Sequence, residues 1–158
     1  MSDGLISIDD PRADDVRALI DRHLEFARAT TPPEHVFALD LDGLVDPAVT
    51  FFTYRVNGDV IGMAALKHLD DSHAELKSMH TVEASRRSGV GRAMVEHLLA
   101  IARARGFRRV SIETGSMDAY APARALYAGA GFEPCEPFGA YGPSPNSSFM
   151  TLRIDGEG

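Results

Sequence analysis

Apolar residues along this chain switch between two periods. Leu5-Ile6-Ser7-Ile8 is a short apolar run that predicts a strand. Asp9-Asp10-Pro11 then reads as an N-cap followed by proline at the first helical position. Val16, Leu19, Ile20, His23, Leu24 and Ala27 recur at helical spacing, so an amphipathic helix is expected over 11–29. Thr30-Thr31-Pro32-Pro33 stops it, residues 34–41 read as a short second helix, and Asp42-Gly43 and Asp46-Pro47 read as loop. The β-branched and aromatic run over 50–56 predicts a strand. Asn57-Gly58 is a strong hairpin signal, and strands over 60–69 and 73–82 complete an antiparallel meander. Helices follow over 91–105 and 122–130, with strands over 109–113, 132–134 and 149–154. The order βαα-βββ-αβαββ is a mixed α/β fold with helices on both faces of one sheet.

Composition narrows the class. At 158 residues, 44% hydrophobic and 25% charged, the chain suits a single domain over 1–158. No apolar run approaches the length of a spanning helix, and Met-Ser-Asp-Gly shows neither the basic nor the apolar region of a signal peptide. One cysteine, Cys135, allows no internal disulfide, which favours a cytoplasmic setting. No two of the six histidines stand at i,i+4, so no metal site is expected. The net charge of −7 argues against a nucleic-acid partner, yet bases concentrate over 86–109, where a compact anion would be attracted.

That region contains Arg86-Arg87-Ser88-Gly89-Val90-Gly91-Arg92, between a predicted strand and a predicted helix. Two glycines permit close backbone approach, and a helix start offers unpaired N–H groups and a positive dipole end. Such a segment suits a pyrophosphate. It is not a dinucleotide fingerprint, lacking the third glycine, nor a Walker loop, lacking Gly-Lys-Ser/Thr.

Arg86-x-x-Gly89-x-Gly91 resembles the phosphate motif Gln/Arg-x-x-Gly-x-Gly/Ala of the GNAT superfamily of acyl-CoA-dependent N-acetyltransferases. A second stretch, Ala123-Arg124-Ala125-Leu126-Tyr127 with Gly131-Phe132, resembles that family's Ala-x-x-Leu-Tyr-x-x-x-Gly-Phe helix and strand. The resemblance runs from about residue 5 to residue 154. It implies a central, largely antiparallel sheet with a V-shaped splay that takes up acetyl-CoA as co-substrate.

The resemblance also implies roles. Main-chain groups of Met79, His80 and Thr81 would bond the pantetheine arm and polarise the thioester, the logic of an oxyanion site. Arg86, Arg87, Ser88, Gly89, Val90, Gly91 and Arg92 would contact the pyrophosphate. Tyr127 resembles the general acid that protonates the departing thiolate, although its type also suits a core ring with a wet hydroxyl. Tyr120 stands where the family often has an asparagine that touches the pantetheine arm. Glu75, eleven residues before Arg86, matches the register of the general base in some members, and it equally suits a solvent-facing strand position. His80 is a rival base, with a naturally suitable pKa. Strand alternation puts Glu75 and His80 on opposite faces unless a bulge intervenes. The acceptor would lie over residues 30–37, 51–54 and 138–147, the last rich in glycine, proline and aromatics.

The expected activity is acetyl transfer to a primary amine of a small molecule by direct attack in a ternary complex. A non-catalytic acyl-CoA sensor and a protein acetyltransferase are the alternatives. No membrane partner is expected, and a homodimer is left open.

Overall fold

The computed structural model describes residues 4–33, 38–82, 85, 86 and 88–155. Seven strands form one sheet in the order β1-β2-β3-β4-β5-β7-β6. They are β1 (Leu5–Ile8), β2 (Val49–Val56), β3 (Asp59–Asp70), β4 (His73–Thr81), β5 (Arg109–Gly115), β6 (Glu133–Pro134) and β7 (Ser147–Arg153). The helices are α1 (Asp14–Thr30), α2 (Leu41–Leu44), α3 (Val90–Ala104) and α4 (Ala121–Gly129). Neighbouring strands run antiparallel except β4 and β5, which are parallel. The mixed α/β order read from the sequence is the one observed.

Strand alternation sorts the core into two layers. Val16, Leu19, Ile20 and Leu24 of α1 and Leu44 of α2 pack on Phe51, Met63 and Ala65. Met94, Val95 and Leu98 of α3 and Tyr127 of α4 pack on Phe52, Ala64, Leu66, Leu76 and Ile112 from the opposite face. The unbroken apolar runs of β2 and β3 follow from burial on both sides. At the hairpin between them, Asn57 and Gly58 have φ of 54° and 86°, the left-handed pair of a type I′ turn.

Three expectations need correction. Helix α1 starts at Asp14 rather than residue 11, because the acids before it have other work. The Asp10 carboxylate accepts the Arg12 N–H at 2.9 Å in an Asx turn, and Asp9 accepts from Thr53 Oγ1 at 2.6 Å and Arg55 Nε at 3.0 Å. The Asp42-Gly43 pair lies inside a helical turn rather than a loop, because Asp40 caps it by accepting the Gly43 N–H at 3.0 Å. The second helix expected over 34–41 falls in part on residues 34–37, outside the described residues. Finally, residues 51–54, expected on the acceptor side, do not line the cleft. They belong to β2, two strands from the cleft described below, and Phe51 and Phe52 are buried in the two core layers.

Candidate active site

The parallel pairing of β4 with β5 ends at Leu76 with Ile112. Beyond that point β4 continues to Thr81 and β5 to Gly115 without pairing, and the strands part. The gap is a cavity of about 640 Å³ lined by residues 76–81 of β4, 112–115 of β5, the start of α3 and the inner face of α4. Arg124 ties α4 to the end of β5, its Nη1 donating to the carbonyls of Gly115 at 2.7 Å and Met117 at 3.0 Å.

At the outer end, Gly89 caps α3 with φ of 90°, and the helix leaves the N–H groups of Val90, Gly91 and Arg92 without intrahelical acceptors. Gly89, Gly91, Arg86 and Arg92 all line the cavity. Arg86 Nε donates to the Thr81 carbonyl at 3.0 Å, which folds the loop back on the end of β4. A Cβ on Gly91 would lie 3.0 Å from Leu126 Cδ2, so α3 and α4 meet closely there. The Val90 side chain is buried in the core, and the Ser88 hydroxyl donates to the Ser85 carbonyl. Neither residue lines the cavity, so neither side chain is placed to reach a ligand there. Arg87 lies outside the described residues.

The inner end rests on a β-bulge. Met63 pairs with His80, but Ala65 pairs with Lys77, so Ser78 and Met79 together oppose Ala64. Ser78 takes a left-handed φ of 58°. The extra residue puts Glu75, Lys77 and His80 on the same face, the α1 side, where strict alternation would separate them. His80 there meets His23 of α1, Nδ1 to Nδ1 at 3.1 Å. One imidazole must carry the proton that the other accepts.

Glu75 is buried and does not line the cavity. Its Oε2 accepts from Tyr141 OH at 2.6 Å and from Lys77 Nζ at 3.1 Å, and Lys77 also donates to the Tyr141 hydroxyl at 2.8 Å. Lys77 itself does line the cavity, as does Glu113 on β5, whose Oε2 accepts from Ser147 Oγ at 2.7 Å. Burial raises the Glu113 carboxyl above the usual carboxylate range, and the Ser147 bond pulls it back in part. Tyr141 is held neutral by burial and then by the adjacent Glu75.

Met79, His80 and Thr81 line the cavity, and so do Tyr120 and Tyr127. Tyr120 roofs it: its hydroxyl is 2.9 Å from Thr30 Oγ1 and 3.2 Å from Thr31 Oγ1, and its ring packs edge-on against Phe26. Tyr127 is 2% exposed, with burial raising its hydroxyl above the ordinary tyrosine range. Of residues 138–147 only Asn146 lines the cavity, while Tyr141 braces it from behind. Sequence reasoning missed His23, Lys77, Glu113 and Ser78. The i,i+2 spacing of Glu75 and Lys77 between Ala74 and Leu76 was a usable sign of a charge pair on one strand face.

Desolvation comes first in lowering both His23 and His80 to about pKa 4, reinforced for His23 by His80 and Lys77 and for His80 by Arg86 and Arg22. In the unfolded chain each would protonate near the usual 6.5. The folded state therefore refuses protons that the unfolded state accepts as pH falls from about 6.5 to about 4. Stability should be full above that window and decline through it. Replacing His23 by phenylalanine should flatten the decline in urea titrations across pH. An unaltered slope would place the acid sensitivity elsewhere.

Among the described residues, no three His, Cys, Asp or Glu side chains gather to hold a metal ion, and no helix is long and apolar enough to cross a membrane. The profile of the Acetyltransferase (GNAT) family matches residues 14–132. Over 149 residues the chain is 42% identical to the uncharacterized N-acetyltransferase YsnE of Bacillus subtilis (strain 168), covering 94% of this chain and 99% of that one. It is 38% identical over 149 residues to the uncharacterized N-acetyltransferase YedL of Escherichia coli (strain K12), covering 94% of each. Its backbone is similar to an aminoglycoside 6′-N-acetyltransferase complexed with coenzyme A, with a TM-score of 0.72 at 13% identity over 98% of this chain and 99% of that one. Profile and relatives agree with a splayed sheet that ends on a glycine-started helix, and the chain belongs to the GNAT family of acetyltransferases.

Proposed function

We propose that this chain, acting as a single domain, transfers the acetyl group of acetyl-CoA to a primary amine of a small molecule by direct attack in a ternary complex. The observation that carries this reading is the continuity of the cleft. One end is the start of α3 with Arg86 and Arg92, and the other holds Lys77, His80 and Tyr127. A pyrophosphate at the helix start would let the pantetheine arm run inward between β4 and β5. Its amides would meet the strand edge left unpaired beyond Leu76. The tie from Tyr120 to Thr30 and Thr31 narrows the acceptor side, which favours a small acceptor over a peptide groove.

The amine nitrogen bonds to the acetyl carbon and the carbonyl electron pair moves to oxygen, where main-chain N–H groups at Met79–Thr81 would stabilise it. Collapse restores the carbonyl and breaks the C–S bond, and the thiolate takes the Tyr127 proton. The nitrogen gives up one proton to a base, and a proton passes back through solvent to the Tyr127 phenolate, which restores both groups. Desolvation that keeps two imidazoles neutral acts equally on a bound ammonium and favours the free amine. His80 faces the cleft, whereas Glu75 is bound by Lys77 and Tyr141. This geometry favours His80, the rival, over Glu75, the register-based expectation, as the base. With so low a proton affinity, His80 acts on the acidic ammonium of the tetrahedral adduct.

Thiol release from acetyl-CoA across a library of primary amines tests the activity, and the absence of turnover with every amine would sink it. The base assignment has its own test. His80→Gln should lower kcat/KM by a similar factor at neutral and alkaline pH, because His80 stays neutral above about pH 4 and acts after free amine has attacked. Glu75→Gln should cost stability and leave kcat/KM of the folded protein within a few-fold of wild type. The reverse pattern returns the base to Glu75.

A further inference from the structure

Among the described residues, Glu113 is the one carboxylate that lines the cleft. It belongs to none of the ion pairs those residues form. Its Oε2 accepts from Ser147 Oγ at 2.7 Å, and its Oε1 accepts from no described residue. That second oxygen is not sealed in the core, because Ser78 Oγ is the one buried side-chain polar atom among those residues without a partner. A partly buried carboxylate met only by a hydroxyl is costly to ionise, and burial does raise this carboxyl above the usual range. A cation bound in the cleft would remove that cost.

The surrounding charges give the cleft a polarity. Lys77 and Glu113 are the first residues of β4 and β5 past their last pair, Leu76 with Ile112. The Lys77 charge is answered by Glu75 at 3.1 Å, so an ionised Glu113 leaves this end with one uncompensated negative charge. His80 stands three residues further along β4, about 10 Å away at the rise of a strand and less across the bulge. Desolvation first, and then Arg86 and Arg22, hold His80 neutral, so that end disfavours a cation. An acceptor that spans the two ends is uncharged at the nitrogen beside His80 and positive at the group beside Glu113.

Building on the acetyl-transfer reading, we propose that the acceptor is a short diamine and that Glu113 sets this specificity by binding the ammonium that does not react. The free nitrogen then lies toward His80 and the thioester, and it alone is acetylated. The second ammonium keeps its protons throughout, and no covalent bond to Glu113 forms or breaks. An acceptor with a carboxylate in place of that ammonium would set two negative charges against each other, with the Lys77 charge already engaged by Glu75.

The test measures thiol release from acetyl-CoA with three matched series. These are linear diamines with spacers of roughly three to six carbons, which cover the span between the two ends, alkylamines with a methyl in place of the second ammonium, and ω-amino acids with a carboxylate there. The wild type should prefer the best diamine to its alkylamine by roughly 10–10²-fold in kcat/KM, the scale of one hydrogen-bonded charge, and should use the amino acid least. Glu113→Gln should lose that preference through a raised diamine KM rather than a lowered kcat. Glu113→Asp keeps the charge but withdraws it by one methylene, so the preference should return with the best spacer about one carbon longer. A purely structural glutamate would not shift the spacer, and the aspartate variant decides alone if the glutamine variant does not fold. A wild type that uses alkylamines or amino acids as well as diamines, a glutamine variant that keeps the preference, or an aspartate variant with an unshifted spacer would overturn the proposal. Turnover only with primary amines outside the diamine series would overturn it and leave the acetyl-transfer reading standing. Turnover with no amine at all would overturn that reading, and this proposal with it.

Discussion

Gly89→Asp should abolish acetyl-CoA binding in a protein that still folds. Gly89 is the N-cap of α3 with φ of 90°, and a Cβ there meets nothing within 4 Å. The backbone strain of a left-handed aspartate is roughly 1–2 kcal/mol, and its carboxylate can recover part of that by capping the helix. The capping bond is the cause of the functional loss. The new carboxylate would occupy the N–H groups of the first turn that a pyrophosphate needs, and its charge would face the phosphates. Like charges set together at a binding surface cost several kcal/mol, which corresponds to at least about 10²-fold in Kd. Gly89→Ala carries the backbone strain without the charge and should lose much less. Calorimetry on the three proteins separates the terms, and wild-type affinity should itself weaken with salt. An aspartate variant that binds within a few-fold of wild type would remove the phosphate from this loop.

The placement of Gly89, Gly91 and Tyr127 around the cavity was legible in the sequence because each sits in a short local pattern: glycines at a helix start, and a tyrosine four residues before Gly131. The element order was legible for the same reason, since periodicity and turn residues act over short stretches. Contacts between distant segments were not. Tyr141 reaches Glu75 across 66 residues and so takes the expected base out of the cleft, a relation no spacing encodes. His23 fits the apolar stripe of α1, and only the packing of that helix on β4 turns it toward His80. The bulge carries no local mark, because its left-handed residue is a serine rather than glycine or asparagine. Phe51 and Phe52 look like pocket aromatics until the strand order places β2 away from the splay.

Tyr127→Phe should lower kcat by roughly 10²–10⁴-fold, the range of a general acid, while acetyl-CoA affinity changes only a few-fold. The ring is a core element: it packs edge-on against Phe132 at 5.9 Å in the layer beneath α4, and phenylalanine keeps that packing. What is lost is one hydroxyl that bonds to no described residue, so stability should hold or rise slightly. Burial raises the hydroxyl above the ordinary tyrosine range, which keeps the proton in place at every physiological pH until a base forms beside it. Taken alone, that shift makes tyrosine a weaker acid. The same desolvation also raises the proton affinity of a thiolate expelled into the cleft, so the two shifts offset each other and transfer stays feasible. The loss should therefore appear in kcat, with KM for the amine nearly unchanged, because the hydroxyl acts as the C–S bond breaks rather than as substrates bind. If kcat stays within a few-fold of wild type while acetyl-CoA still binds, Tyr127 is a packing residue and the thiolate leaves without a proton from α4.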